Sequence, residues 1–322
     1  MSRETTMNQS GRDRDVLRYC RQAVLKAMDH VRASMRGSNR LRLTDVVVGR
    51  GVEKSPLNLT KGIDVLAEEL IVATLEKKLV GKLGLRPLTV FSEELGIRTL
   101  PEGAREKESR FVVFIDPIDG TEFIESLQGG WCLIAVYDRR ASEVVCAVAG
   151  DIFLNRLYWA CRGGEVEALD FITHSWFRLD GGPDPKEQLA GARVNFLTTK
   201  VSRYRSVAAQ KRLLEAIEQD DGRVNLAWGS NMIRQVAAGY ADAAVEFTKG
   251  FATYDLLPGL FIGLQAGLTI LDPRTGQPCT CRLDLDDLFA TYRRDPKSPR
   301  RTPFVAAGTE ALARQIVALL DR

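Results

Sequence analysis

Apolar residues recur every three or four positions between residues 14 and 36. Leu17, Cys20, Val24, Met28, Val31 and Met35 share one side and Gly37 supplies a stop, so the spacing predicts an amphipathic helix. A second helix is predicted for residues 64–80, with Leu66, Leu70, Ala73 and Leu79 on one side and Asp64 at its start, where an acidic cap is favoured. Residues 38–62 carry Gly49, Gly51, Pro56 and Gly62 among polar groups and read as a mobile loop. Short apolar runs then predict strands at Leu88–Phe91, Phe111–Ile115, Trp131–Tyr137, Val144–Ala149 and Leu157–Ala160. The second half mixes its elements. Helices are expected at 205–219, 231–239, 256–266 and 309–321, and strands at 242–247, 268–271 and 304–307.

Residues 1–13 are polar and lack an apolar core, which reads as a disordered tail and not a signal peptide. Gly181-Gly182-Pro183-Asp184-Pro185 divides the remainder into a strand-rich lobe, 14–182, and a more alternating lobe, 183–322. Candidate carboxylates fall on both sides of that boundary, so one site in a cleft between lobes is the economical arrangement.

Composition narrows the function. Forty-five basic and 42 acidic residues leave a net charge of +3, too balanced for a nucleic-acid protein. The run Arg293, Arg294, Lys297, Arg300, Arg301 reads as a solvated loop. No apolar run reaches the ~20 residues needed to span a bilayer. Six cysteines without a CxxC pair suit a reducing cytoplasm. Only two histidines occur, His30 and His174, and neither has neighbours that would form a triad or an HExxH zinc site. The chemistry is expected to proceed without imidazole.

Carboxylates stand out instead. Ser92-Glu93-Glu94, Asp116-Pro117-Ile118-Asp119-Gly120-Thr121, Tyr254-Asp255 and Asp64 each sit where an apolar stretch meets a turn or helix. Taken singly they read as solvated pairs, a surface turn or helix caps. Together they suggest convergence on a hard divalent cation, most naturally Mg²⁺. Pro117 fixes one torsion of a turn that can send Asp116 and Asp119 to the same side, with the Ile118 carbonyl as a further oxygen. Gly120 permits close backbone approach, and amides near Gly120 and Thr121 suit an anion. Ions bridged by Glu93 and Asp116 would suit in-line displacement at phosphorus, one activating water and another holding the leaving oxygen. Thr121 and Asp64 are the candidate hydroxyl–carboxylate pair assisting that water.

At this point Phe111-Val-Val-Phe-Ile-Asp-Pro-Ile-Asp-Gly-Thr121 resembles the signature of the inositol monophosphatase-like, lithium-sensitive, Mg²⁺-dependent phosphatase superfamily. Ser92-Glu93-Glu94 is similar to its upstream Glu-Glu element, and Tyr254-Asp255-Leu-Leu-Pro-Gly259 to its downstream Trp-Asp-x-Ala-x-Gly element. Gly229-Ser230-Asn231 and Ala237-Ala-Gly-Tyr-Ala-Asp-Ala243, with Glu246 just beyond, match its substrate-side loop and helix. The resemblance runs from about residue 14 to the C-terminus. It implies an α/β, layered αβαβα sandwich of two lobes with the active site between them, assembled as a homodimer. It implies Glu93, Asp116, Ile118 (through its carbonyl), Asp119 and Asp255 as ligands of two or three Mg²⁺ ions. Asp64, Glu93 and Thr121 would be catalytic. Asp119, Gly120, Thr121, Ser230, Glu246 and Asp255 would contact a small phosphorylated metabolite, with no nucleic-acid or membrane partner.

The shell around this core departs from the family. Lys61-Gly62-Ile63 precede Asp64 where a Thr-x-x-Asp pattern is usual, Tyr254 replaces Trp, and Leu257-Pro258 stand where small residues are common. Glu122-Phe123-Ile124 resembles the bisphosphate nucleotidase branch without its Lys. The expectation is a phosphomonoesterase acting on a small phosphorylated polyol or sugar, inositol-monophosphatase-like. Fructose-1,6-bisphosphatase and 3′(2′),5′-bisphosphate nucleotidase activities are the rivals within the class. A non-catalytic phosphometabolite-binding regulator and an unrelated carboxylate–metal nuclease are the rivals outside it.

Overall fold

The structure, a computed structural model, describes residues 3–36, 62–125, 128–182, 184–198, 200–219, 221–227 and 229–321. The predicted loop 38–62 lies outside them except for Gly62. The chain forms two units: Met1–Phe177 with Arg282–Arg300, and Arg178–Cys281 with Arg301–Arg322. The division falls a few residues before the Gly-Pro stretch, and residues 282–300 rejoin the first unit.

In unit 1, α1 (Arg3–Arg36) buries Leu17, Cys20, Val24, Met28 and Val31. It begins well before residue 14, because Arg, Glu, Met and Gln are good helix formers and a nucleated helix extends cheaply. Asp13, expected to end a disordered tail, is buried and accepts from Arg162 Nη2 at 2.6 Å. The second helix, α2 (Gly62–Leu75), continues as a π-helix over Glu76–Lys82.

Eight strands follow: β1 (Leu88–Ser92), β2 (Gly96–Leu100), β3 (Phe111–Asp119), β4 (Trp131–Asp138), β5 (Glu143–Asp151), β6 (Arg156–Cys161), β7 (Val166–Asp170) and β8 (Ser175–Leu179). Their order is β2-β1-β3-β4-β5-β6-β7-β8, with β1 and β3 parallel. Strand side chains alternate between faces. Val90, Val113, Ile115, Ile134 and Val148 join the core built with α1 and α2. On the other face Phe91 meets Phe114, Phe289 and Tyr292 edge-on, with ring centroids 5.8, 5.6 and 4.7 Å away. Phe289 and Tyr292 belong to a helix at Leu285–Arg294, so Arg293 and Arg294 close a helix where a solvated loop was expected. Leu285, Leu288, Phe289 and Tyr292 are its buried side. Asp170 ends β7 and accepts from Ile172 N (2.8 Å), Thr173 N (3.0 Å) and Arg156 Nε (2.6 Å).

Unit 2 is a five-stranded sheet whose strands lie side by side in the order Arg223–Ala227, Arg193–Leu197, Ala243–Ala252, Arg301–Ala307 and Thr269–Leu271. Its chain order is β9 (Arg193–Leu197), α4 (Val201–Ala208), α5 (Lys211–Gln219), β10 (Arg223–Ala227), α6 (Met232–Ala237), β11 (Ala243–Ala252), α7 (Thr253–Gln265) and β12 (Thr269–Leu271). The Leu285–Arg294 helix is α8, and β13 (Arg301–Ala307) with α9 (Glu310–Leu319) completes the chain. Val194, Phe196, Val245 and Val305 pack with Val207, Leu213, Ile217, Leu312 and Ile316 of α4, α5 and α9. Helices α6 and α7 pack on one another and on β11 and β13. Each unit is therefore an alternation of helical and sheet layers, the α/β class the sequence predicts.

Among the described residues no helix is long and apolar enough to cross a membrane.

Candidate active site

Two adjacent parallel strands carry the carboxylates of unit 1. Ser92 at the end of β1 sits opposite Ile115, and the Glu93 amide donates to the Ile115 carbonyl at 3.2 Å. Glu93 is thereby fixed beside Asp116, the next residue along β3. The two side chains offer carboxylate oxygens within 4.8 Å of one another, and Asp116 is only 1% exposed. Like charges this close in a buried setting repel unless a cation or protons intervene.

Asp116 and Asp119 are three apart, so a regular strand would turn them to opposite faces. The ladder with β4 corrects this. Asp116 pairs with Leu133 and Asp119 with Trp131, leaving Pro117 and Ile118 opposite Cys132 alone. That β-bulge adds one residue to β3 and brings positions 116 and 119 back into phase. Gly120 follows with φ +87°, and a Cβ there would lie 3.2 Å from the Phe123 ring and 3.4 Å from the Trp131 ring. A short helix, α3 (Thr121–Glu125), starts at once. The turn thus places the Ile118 carbonyl and Thr121 together: Thr121 Oγ1 lies 3.1 Å from Ile118 O and 2.7 Å from Asp64 Oδ1. Asp64, in the first turn of α2, is buried. The structure therefore joins residues 57 positions apart into the hydroxyl–carboxylate pair.

One participant was not anticipated. Glu68, one turn after Asp64, is buried, and its Oε1 accepts from Ser92 Oγ and from Leu95 N (3.2 Å). It fastens the Ser92-Glu93-Glu94 corner to α2. The i, i+4 spacing of Asp64 and Glu68 on one helix face was the available signal.

Unit 2 holds the remaining candidates. Asp255 is the third residue of α7, and its Oδ2 accepts from Ala252 N at 3.2 Å. A carboxylate here faces amides at the positive end of a helix. Ser230 and Asn231 are buried ahead of α6, and Asn231 Oδ1 accepts from the buried Arg234 Nε at 2.6 Å. Glu246 is buried, and its Oε1 accepts from Thr248 N (3.0 Å), Thr248 Oγ1 (2.6 Å), Lys249 N (2.8 Å) and Gly250 N (2.9 Å). These bonds tie down a second bulge, between Glu246 and Phe251 of β11. Gly250 has φ +76°, and a Cβ there would be 2.4 Å from the Thr302 carbonyl carbon.

The sequence matches the inositol monophosphatase family over residues 13–320, and the chain belongs to that family. Its fold is similar to that of the extragenic suppressor protein suhB from Bartonella henselae (17% identity, 95% of this chain and 98% of that one, TM-score 0.65). It is likewise similar to the MJ0109 gene product, an inositol monophosphatase-fructose 1,6 bisphosphatase (15% identity, 94% and 98%, TM-score 0.66). SaIMPase-II bound to inositol monophosphate is a third similar structure (15% identity, 93% and 91%, TM-score 0.59). No curated protein matches the sequence.

Proposed function

We propose that the protein is a Mg²⁺-dependent phosphomonoesterase acting on a small phosphorylated polyol or sugar, inositol-monophosphatase-like. Membership of the inositol monophosphatase family supports a metal-dependent phosphatase. The observation that carries the reading is the Thr121–Asp64 hydrogen bond, beside the closely paired carboxylates of Glu93 and Asp116.

The donor set fits the metal. Glu93, Asp116, Asp119, Asp255 and the Ile118 carbonyl are all oxygen donors, without the thiolates or imidazoles that softer metals prefer. The buried Asp116 and the half-buried Glu93, with carboxylate oxygens within 4.8 Å of one another, also call for positive charge. These five would hold two or three Mg²⁺ ions. When bound, magnesium lowers the pKa of water and neutralises charge on the phosphoryl oxygens.

The chain's own residues supply the rest. Asp64, buried and hydrogen-bonded to Thr121, draws the hydroxyl proton to itself, so that Thr121 Oγ1 is free to accept a proton from the attacking water. Water oxygen bonds to phosphorus, the ester P–O bond breaks on the far side, and the leaving alkoxide takes up a proton. The products are an alcohol and inorganic phosphate. Amides of Gly120 and Thr121 would orient the phosphoryl group. Ser230 would lie near the hydroxyl-bearing part of the substrate, with Glu246 holding the loop beside it, and Asp119 and Asp255 would contact the substrate from the metal side. The same reading includes a homodimer, which light scattering would test.

Phosphate release from inositol monophosphate, fructose 1,6-bisphosphate and adenosine 3′,5′-bisphosphate should require Mg²⁺ and be inhibited by Li⁺. Asp116→Asn should abolish it without unfolding the chain, since one charge is lost at constant volume. Turnover retained in that variant, or release indifferent to Mg²⁺, would reject the assignment.

A further inference from the structure

The turn that carries Gly120 and Thr121 is braced by residues given no role above. Gly120 leaves β3 with φ +87°, and its carbonyl accepts from Phe123 N at 2.8 Å and Ile124 N at 3.3 Å, so α3 begins on it. The Trp131 ring covers this residue, with its Cζ3 3.4 Å from where a Cβ would stand. Trp131 is buried and opens β4 opposite Asp119, on the far side of the bulge from Asp116. Its indole Nε1 donates to Asp151 Oδ2 at 3.1 Å, and Asp151, also buried, lies directly opposite it in the β4–β5 ladder. The second carboxylate oxygen is engaged as well. Asp151 Oδ1 accepts from Phe153 N (3.1 Å) and Leu154 N (2.8 Å) in the turn that follows β5. In the same turn Ile152 N donates to Gly130 O at 3.0 Å, which ties down the residue before Trp131. Asp151 thereby links a fixed sheet corner to the ring over Gly120.

We infer that Asp151 is a positioning residue: through the Trp131 indole it sets the orientation of the Gly120–Thr121 turn, and with it the approach of Thr121 Oγ1 to Asp64. This rests on the phosphatase reading and extends it to a residue with no assigned contact to metal or substrate. The turn needs outside support. It has no side chain at Gly120 to lodge it, α3 is five residues long, and the bulge interrupts the ladder immediately before it. A helix this short is marginal on its own. Packing fixes the plane of the Trp131 ring, and the Nε1–Oδ2 bond fixes which edge of it faces Gly120. A carboxylate acceptor holds that choice more strongly than a neutral one. Displacing a reacting group by about 1 Å can cost on the order of 10²-fold in rate, so a loosened ring should register in turnover.

The test uses Asp151→Asn, Trp131→Phe and the double variant. Asparagine keeps the volume and one acceptor for the turn amides, but sets an NH₂ group against the indole N–H. Phenylalanine deletes the donor. Phosphate release from inositol 1-phosphate, fructose 1,6-bisphosphate and adenosine 3′,5′-bisphosphate gives kcat and KM, and calorimetry gives Mg²⁺ affinity. Amide hydrogen exchange is followed over residues 118–125, and urea melts give the folded fraction. Per folded molecule, Asp151→Asn should lower kcat about 10- to 10²-fold, leave KM and Mg²⁺ affinity within about twofold, and speed exchange across 120–125. In the Trp131→Phe background it should add nothing, because its effect passes through the indole. Undiminished kcat in folded Asp151→Asn, or a loss confined to KM, overturns the inference, as does a double variant whose losses multiply. A wild type that releases phosphate from none of the compounds refutes the phosphatase reading instead. The brace is then judged on exchange alone: faster exchange at 120–125 in Asp151→Asn upholds it, and unchanged protection overturns it.

Discussion

Removing the hydroxyl of Thr121 isolates one proposed catalytic pair. Thr121→Val keeps the volume and deletes the donor 2.7 Å from Asp64 Oδ1. A hydrogen bond to a charged group contributes about 1.5–3 kcal/mol, which corresponds to a factor of roughly 10–150 in rate if it is made in the transition state. Thr121→Val should therefore lower kcat about 10²-fold with little change in KM, and Asp64→Asn should do much the same. The double variant decides the matter. If the two residues act as one proton-accepting unit, it should remain near 10²-fold; independent roles would multiply to about 10⁴-fold. The assay is Mg²⁺-dependent phosphate release under saturating and limiting substrate, with urea melts confirming that each variant is folded. A multiplicative double variant, or a Thr121→Val effect confined to KM, would refute the pairing.

Two further outcomes concern stability. Gly250→Ala combines a left-handed backbone with a Cβ placed 2.4 Å from the Thr302 carbonyl carbon. It should destabilise the protein by about 2–5 kcal/mol in urea, and a change below about 0.5 kcal/mol would show that the β11–β13 contact is misassigned. Asp170 has its carboxyl pulled down to about 2, chiefly by the Thr173 amide and then by the Arg156 guanidinium. Because the folded pKa is depressed, the advantage of wild type over Asp170→Asn should be complete above the ordinary Asp range and fade as pH falls toward 2. Urea midpoints at pH 7, 4 and 2.5 would measure it, and a gap independent of pH would contradict the assignment.

Much of the architecture was legible because its signals are local. The face of α1 from Leu17 to Val31 and the strand before Asp116 are both written in short-range periodicity. Strands β2 and β7 to β10 escaped notice for physical reasons. Exposed β10 carries only one buried residue, Ala227, so it shows no alternation. Helix α8 was hidden by the charges of its last turn, since its buried side rests on Leu285, Leu288, Phe289 and Tyr292 alone. Within the site, Asp116, Asp119 and Thr121 could be read from their motif, but what puts positions 116 and 119 in phase is a bulge against Trp131 and Leu133. No spacing rule reports such a ladder irregularity. The bond from Thr121 to Asp64 is likewise a tertiary fact, as is the use of Glu68 to hold the Ser92 corner. Glu246 is instructive in the other direction: its family position suggests substrate, while its Oε1 is occupied by the 248–250 turn.

The late return of residues 282–300 to unit 1 bears on how the polypeptide matures during synthesis. Phe91 is made early, yet Phe289 and Tyr292 emerge from the ribosome some two hundred residues afterwards. Until then one side of the nascent eight-stranded sheet lacks its aromatic lid, and premature release or truncation after Cys281 would leave a sticky surface for chaperones to shield.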